Sequence, residues 1–305
     1  ILQFAAFVVV VLYSIPYLNF GTTDDGTALA FGFLFTVIFF FSNIMSILHR
    51  TSDDANTVNL VVASGTGLYL ASWIAQGVPS EWQSLLYVAW ALVFASGAFV
   101  VFVRTNKRVP FYIYSAVSLG LLAAATAAIF EGPMLTLAYT LEVTVLVVLA
   151  LRVLNNNLVA SRLSWLFVGP VMLSLESVDS SAWYSGVLHN DFFILLTLMV
   201  CIGFAAQQLI LAPKSEAAKE DFTGAVWAFV GSLYAMALVW LVTHAIFLDD
   251  QATMFSLLVY TIAGLVMYVQ GRVHQSTYAT RGGMLLIAFV VARLLFIDVW
   301  QMEIS

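Results

Sequence analysis

Charge is scarce in this sequence. Asp, Glu, Lys and Arg make up 9% of its 305 residues, and hydrophobic residues make up 62%. A soluble domain carries about 25% charged residues, so a water-facing surface for a chain of this size is excluded. Cysteine is nearly missing. Cys201 stands alone in an apolar run, which rules out an internal disulfide and any multi-cysteine metal site. The formal net charge is −6, and no basic cluster offers itself to a nucleic-acid backbone. P-loop, G-x-G-x-x-G, G-x-S-x-G and H-E-x-x-H patterns are all missing, and neither His49 nor His244 has a partner at metal-ligand spacing. The case for an enzyme is weak, and no metal or cofactor is expected. Strands that alternate apolar and polar residues, as an outer-membrane barrel requires, are absent too.

Apolar runs fill the chain instead, and mean hydropathy is +0.98. Runs of about 20 residues recur from end to end, the length a helix needs to cross hydrocarbon. Helices satisfy their own backbone there. The expectation is an all-α, polytopic integral membrane bundle of about eleven transmembrane helices, forming a single domain over 1–305 within a lipid bilayer. The spans fall near 1–19, 29–48, 57–76, 82–103, 111–130, 133–153, 162–178, 191–212, 223–247, 252–271 and 282–302. The chain opens inside one apolar stretch and closes just after another, so we expect it to continue beyond both ends.

The basic residues test this division. Arg50, Arg104, Lys107, Arg108, Arg152, Arg162, Lys214, Lys219, Arg272 and Arg281 all fall on alternate loops, and the intervening loops have none. A wrong span count would scramble that alternation. The positive-inside rule makes the basic side cytoplasmic. The opposite loops are acidic, with Asp24, Asp25, Glu81, Glu131, Glu176, Asp179, Asp191, Asp249 and Asp250.

Two charges sit midway along a span: Glu142 in Leu141-Glu142-Val143 and Arg293 in Ala292-Arg293-Leu294. Both fall at the same depth. An isolated charge in a membrane is costly, so an intramembrane pair between Glu142 and Arg293 is expected. Such a pair is either a tie that fixes helix register or the charged floor of a cavity for an ion, proton or anionic head group. Arginine suits phosphate and carboxylate because its planar fork donates two bonds. On the acidic side Asp298, Glu176, Asp179, Asp191 and His189 form either a polar rim or a set of solvated loop charges. Pro170 interrupts the seventh span, and a broken helix marks either a transporter site or a plain kink. Small residues repeat every four positions at Ala116, Gly120, Ala124 and Ala128, and at Ala63, Gly67 and Ala71, which predicts tight helix interfaces.

The end of the chain carries a resemblance. Arg281-Gly282-Gly283-Met284-Leu285-Leu286 is followed by Val291-Ala292-Arg293-Leu294-Leu295-Phe296-Ile297-Asp298. This resembles the C-terminal signature of a bacterial membrane-protein family, domain of unknown function 2339, in which a basic residue, usually Lys, stands five positions before an Asp. Here Arg293 holds that place. Phe255 to Arg272 and Leu141-Glu142-Val143 through Arg152 are also similar, while Leu188-His189-Asn190-Asp191-Phe192 lacks an Arg that the family has. The resemblance covers about 136–305 and implies a many-helix protein of the bacterial inner membrane, with further spans at both ends and no established reaction.

Three functions fit these residues. The first is transport or flipping of a small or lipid-linked envelope molecule, which draws on the midplane charges and the broken span. The second is a structural or assembly subunit partnered by other membrane proteins, which draws on short loops and small-residue stripes. The third is a membrane enzyme of envelope polymer metabolism, which needs carboxylates and basic residues converging at one face.

Overall fold

A computed structural model describes residues 2–20, 25–49, 56–152, 154–212, 222–273, 275 and 277–295. Every element among them is helical. In chain order these are α1 (Leu2–Phe20), α2 (Asp25–His49), α3 (Asn56–Gly77), α4 (Ser80–Thr105), α5 (Arg108–Ile129), α6 (Gly132–Arg152), α7 (Asn157–Ser164), α8 (Val168–Leu173), α9 (Leu175–Val178), α10 (Asn190–Leu211), α11 (Thr223–Ile246), α12 (Asp249–Val273) and α13 (Thr277–Arg293). A 3-10 turn at Trp165–Phe167 joins α7 to α8, and another spans Ser181–Tyr184.

Among the described residues, seven helices are long and apolar enough to cross a membrane. The bent segment from Asn157 to Tyr184 makes an eighth if its halves form one span. The expected count of about eleven is not reached by this measure, although a helix lies at each of the eleven runs. α1 offers a shorter apolar stretch, Gln3–Ile15. α3 is diluted by Ser64, Thr66 and Ser72, whose hydroxyls fold back onto carbonyls of their own helix. α13 ends at Arg293, and residues 296–302 of the run 282–302, Asp298 and Trp300 included, lie outside the described residues. Leu68, Leu92, Phe99 and Leu285 stand 64–72% exposed on helix surfaces. A water-facing surface of this kind would aggregate; against hydrocarbon it is the stable one.

The helices group into two compact units, Ile1–Glu131 and Gly132–Ser305. In the first, α4 and α5 form a hairpin. Asn106 closes α4 in the left-handed region, its N–H donating to the Phe102 carbonyl. The core is aromatic, with Phe40, Phe94 and Tyr114 in mutual ring contact at 5.0–5.9 Å. Phe40 fills the space that Gly97 leaves open on α4. Of the aromatic triplet on α2, Phe39 and Phe40 are therefore buried and Phe41 faces outward. Asn43 donates to the Tyr114 hydroxyl at 3.0 Å, both side chains being buried. Tyr114→Phe is expected to cost about 1 kcal/mol, read as a lower midpoint in a denaturing-detergent titration. An unchanged midpoint would remove this bond from the unit's stability.

The small-residue stripes divide. Gly67 is held so close to Val117 that any added side chain would collide, as a tight α3–α5 interface requires. On α5, however, Ala116 and Gly120 face outward, with open space around Gly120, while Ala124 and Ala128 pack against the core. The packed face is Tyr114, Leu121 and Ala125, joined to α4 where Ser118 donates to the Ala91 carbonyl at 2.7 Å.

In the second unit α6, α10 and α11 surround a core that includes Val147, Phe167, Leu195, Leu198 and Ile202. Arg152, at the end of α6, donates to Gln208 near the end of α10 at 2.9 Å. Both helices therefore finish at the same end of the unit, as the alternation of basic loops requires. α12 and α13 meet backbone to backbone at Gly264 and Gly283.

Candidate functional site

Polar groups within the apolar helices of the second unit collect on two faces of α11. One face holds a broken segment. Asn156 caps α7, its side chain accepting from the Val159 N–H. The helix tightens to a 3-10 turn before Pro170, which has no N–H to continue the regular ladder. At Ser174 the axis bends by 44°. Hydroxyls bind the break to α11. Trp227 donates through Nε1 to Ser164 Oγ at 2.9 Å, and Ser174 Oγ and Tyr234 Oη lie 2.5 Å apart. Ser174 also returns a bond to the Val171 carbonyl, and Trp183 donates to that of Ser177. The interruption expected at Pro170 takes the form of the 3-10 turn that precedes it, and the bend itself falls four residues later, at Ser174.

The other face of α11 meets Arg293. The guanidinium lies over the Trp240 ring, 4.3 Å from the centroid, a cation–π contact. The His244 ring leans on Trp240 with centroids 3.9 Å apart, and its Nδ1 is 2.8 Å from the Trp240 carbonyl. Tyr260 of α12 is buried beside them, donating to the Met236 carbonyl at 2.6 Å. Thr243 Oγ1 and Ser256 Oγ are 2.6 Å apart between α11 and α12. Leu286 and Val290, on the same side of α13 as Arg293, pack with Met236, Val239 and Tyr260. At 1.5 Å per residue Trp240 sits about 9 Å inside the end of α11, within the hydrocarbon depth. Arg293 Nε is buried and donates to no atom, and among the described residues no carboxylate accepts from this guanidinium.

Glu142, the other half of the expected pair, is half-buried on α6 and acts electrostatically on Tyr139, one turn earlier. α6 packs on α10, α7 and α8, and α13 packs on α12. The partner of Arg293 is therefore a ring, not the Glu142 carboxylate.

The acidic rim separates in the same way. His189 and Asp191 come together, with Nδ1 and Oδ2 3.6 Å apart, and the Trp183 ring meets His189 edge-on at 4.3 Å. Both His189 nitrogens are buried without a hydrogen-bond partner. Glu176 and Asp179 are exposed at the two ends of α9, and Asp298 lies outside the described residues. No group of three metal-ligating side chains occurs among the described residues.

Grooves open on the surface of this unit among the described residues, two of them well formed. One, of about 390 Å³, runs between α10 and α11 over Gly203, Gly231 and the exposed Gln207; the other, of about 660 Å³, runs between α12 and α13 over Leu265, Ile287 and Val291. Neither is lined by Glu142 or Arg293. Arg293 turns away from the second groove, toward α11.

Sequence reading identified Arg293, weighed His244 only as a metal ligand, and missed Trp240 and Tyr260. The available signal was Trp240 and His244 one turn apart on α11, with Trp240 well inside the span and not at its end. No protein-family model, curated protein or solved structure matches this chain, so its function is argued from its own geometry.

Proposed function

We propose that this chain is a many-spanning protein of a bacterial inner membrane, with about eleven spans and cytoplasmic basic loops, that transports or flips a small or lipid-linked envelope molecule. A kinship with domain of unknown function 2339 belongs to the same proposal. The observation that carries it is Arg293: a cation in an apolar helix, held by an indole ring and, among the described residues, not neutralised by a carboxylate. Ionisable groups at such depth mark ligand pathways. The broken α7–α9 segment adds support, because interrupted helices line the binding sites of many transporters. α11 touches both, with Tyr234 at the break and Trp240 beneath Arg293, about 9 Å apart along its axis.

The test is reconstitution of the purified chain into vesicles containing a fluorescent phosphatidylglycerol, with a membrane-impermeant quencher reporting transbilayer exchange. The chain is expected to accelerate exchange over empty vesicles, and Arg293→Ala to lower that rate about tenfold, equivalent to about 1.4 kcal/mol. Exchange no faster than in empty vesicles, for anionic and zwitterionic lipids alike, would overturn the reading.

A further inference from the structure

Building on the proposed transport role, we infer that the Arg293–Trp240 site receives the anionic head group, phosphate or carboxylate, of a membrane amphiphile. Three observations converge on this. First, the guanidinium is only half used: its central carbon sits 4.3 Å over the Trp240 ring, while its donors find no acceptor among the described residues. A guanidinium stacked on a ring keeps its N–H groups in plane and free to grip two oxygens at once, the geometry of phosphate and carboxylate recognition. Second, the neighbouring polar groups already have partners. Tyr260 is committed to the Met236 carbonyl, Thr243 to Ser256, and His244 to the Trp240 carbonyl. They fix Trp240 and the wall around it, and leave Arg293 as the group that awaits an anion. Third, the approach selects the source. The aqueous end of α11 and α12 nearest the site carries exposed Asp249 and Asp250, which repel a free anion. From the membrane side the surroundings are apolar, with Phe289 and Phe255 each 45% exposed. An amphiphile entering sideways delivers its charge to Arg293 without passing the carboxylates.

The inference is tested on the full chain in mild detergent by native mass spectrometry and thermal shift. The probes are phosphatidylglycerol, phosphatidylcholine with the same acyl chains, and inorganic phosphate. Phosphatidylglycerol is expected to bind at least about tenfold more tightly than phosphatidylcholine, and inorganic phosphate to give no shift. Arg293→Gln should bring that ratio close to one, and Arg293→Lys, which retains the charge without the fork, should restore part of it. Trp240→Leu should weaken the preference with Arg293 still in place, and circular dichroism identifies any variant that has lost its helices. Equal binding of both lipids by the natural chain, or an undiminished preference in Arg293→Gln, overturns the inference. Inorganic phosphate binding as tightly as the lipid overturns the amphiphile as the source. A chain that shows the preference but moves no lipid upholds this inference and overturns transport; exchange of lipid with no head-group preference does the reverse.

Discussion

Gly283→Leu is expected to lower the stability of the second unit by about 3 kcal/mol and to abolish selective head-group binding at Arg293. A Cβ at Gly283 would lie 2.6 Å from both the Gly264 carbonyl oxygen and the Tyr268 nitrogen, and 2.9 Å from the Tyr268 Cα. These are backbone atoms of α12 and cannot rotate away. Overpacking of this kind costs about 1–3 kcal/mol, and leucine adds three more carbons to the collision. The helices must separate, and Arg293 lies on α13 ten residues further along. Its contact with Trp240 then fails although neither residue has changed. The adjacent position is the control. A Cβ at Gly282 meets the flexible tip of Met267 at 3.1 Å, so Gly282→Ala should be tolerated. Both variants are read by thermal shift with and without phosphatidylglycerol. If Gly283→Leu proves as stable as Gly282→Ala, the close α12–α13 approach does not position the site.

The helices were legible because membrane spans declare themselves through length and apolarity. One consequence of the alternating basic residues is visible: the Arg152–Gln208 bond joins two helix ends that the alternation places together. Pro170 announced the 3-10 turn that interrupts the segment, through a missing donor, while the bend at Ser174 carried no such mark. Azimuth was not legible. Glu142 and Arg293 each stand midway along an apolar run, but position along a run says nothing of which way a side chain points. Arg293 shares its side of α13 with Leu286 and Val290, and that side faces α11. Half of the stripe on α5 failed for the same reason. Its spacing of four was real, and Ala124 and Ala128 pack against the core, but Ala116 and Gly120 turn outward and the buried residues are Tyr114, Leu121 and Ala125. Small residues permit close approach without requiring it. Trp240 went unread because an indole within an apolar run looks like ordinary packing until a cation is found above it.

Trp227→Ala is expected to cost about 3–5 kcal/mol and to loosen the broken segment more than the rest of its unit. The indole is 2% exposed, with Trp165 and Phe167 in ring contact at 5.7 and 5.5 Å. Its Nε1 holds Ser164, the last residue of α7 before the 3-10 turn. Alanine removes all of this and leaves a cavity where α7 turns into α8. Trp227→Phe separates the contributions. It keeps an aromatic ring against Trp165 and Phe167 but loses the donor. Ser164 is not orphaned, because its hydroxyl still donates to the Ser161 carbonyl at 2.7 Å. That variant should cost only about 1 kcal/mol. Hydrogen exchange distinguishes a clamp on the break from generic core packing. Residues 157–184 should exchange faster in Trp227→Ala, with α6 and α10 less affected. A rise spread evenly over α6, α10 and the broken segment would make Trp227 ordinary core. A rise confined to the break makes α11 the element that sets its bend, and so couples it mechanically to the helix that carries Trp240.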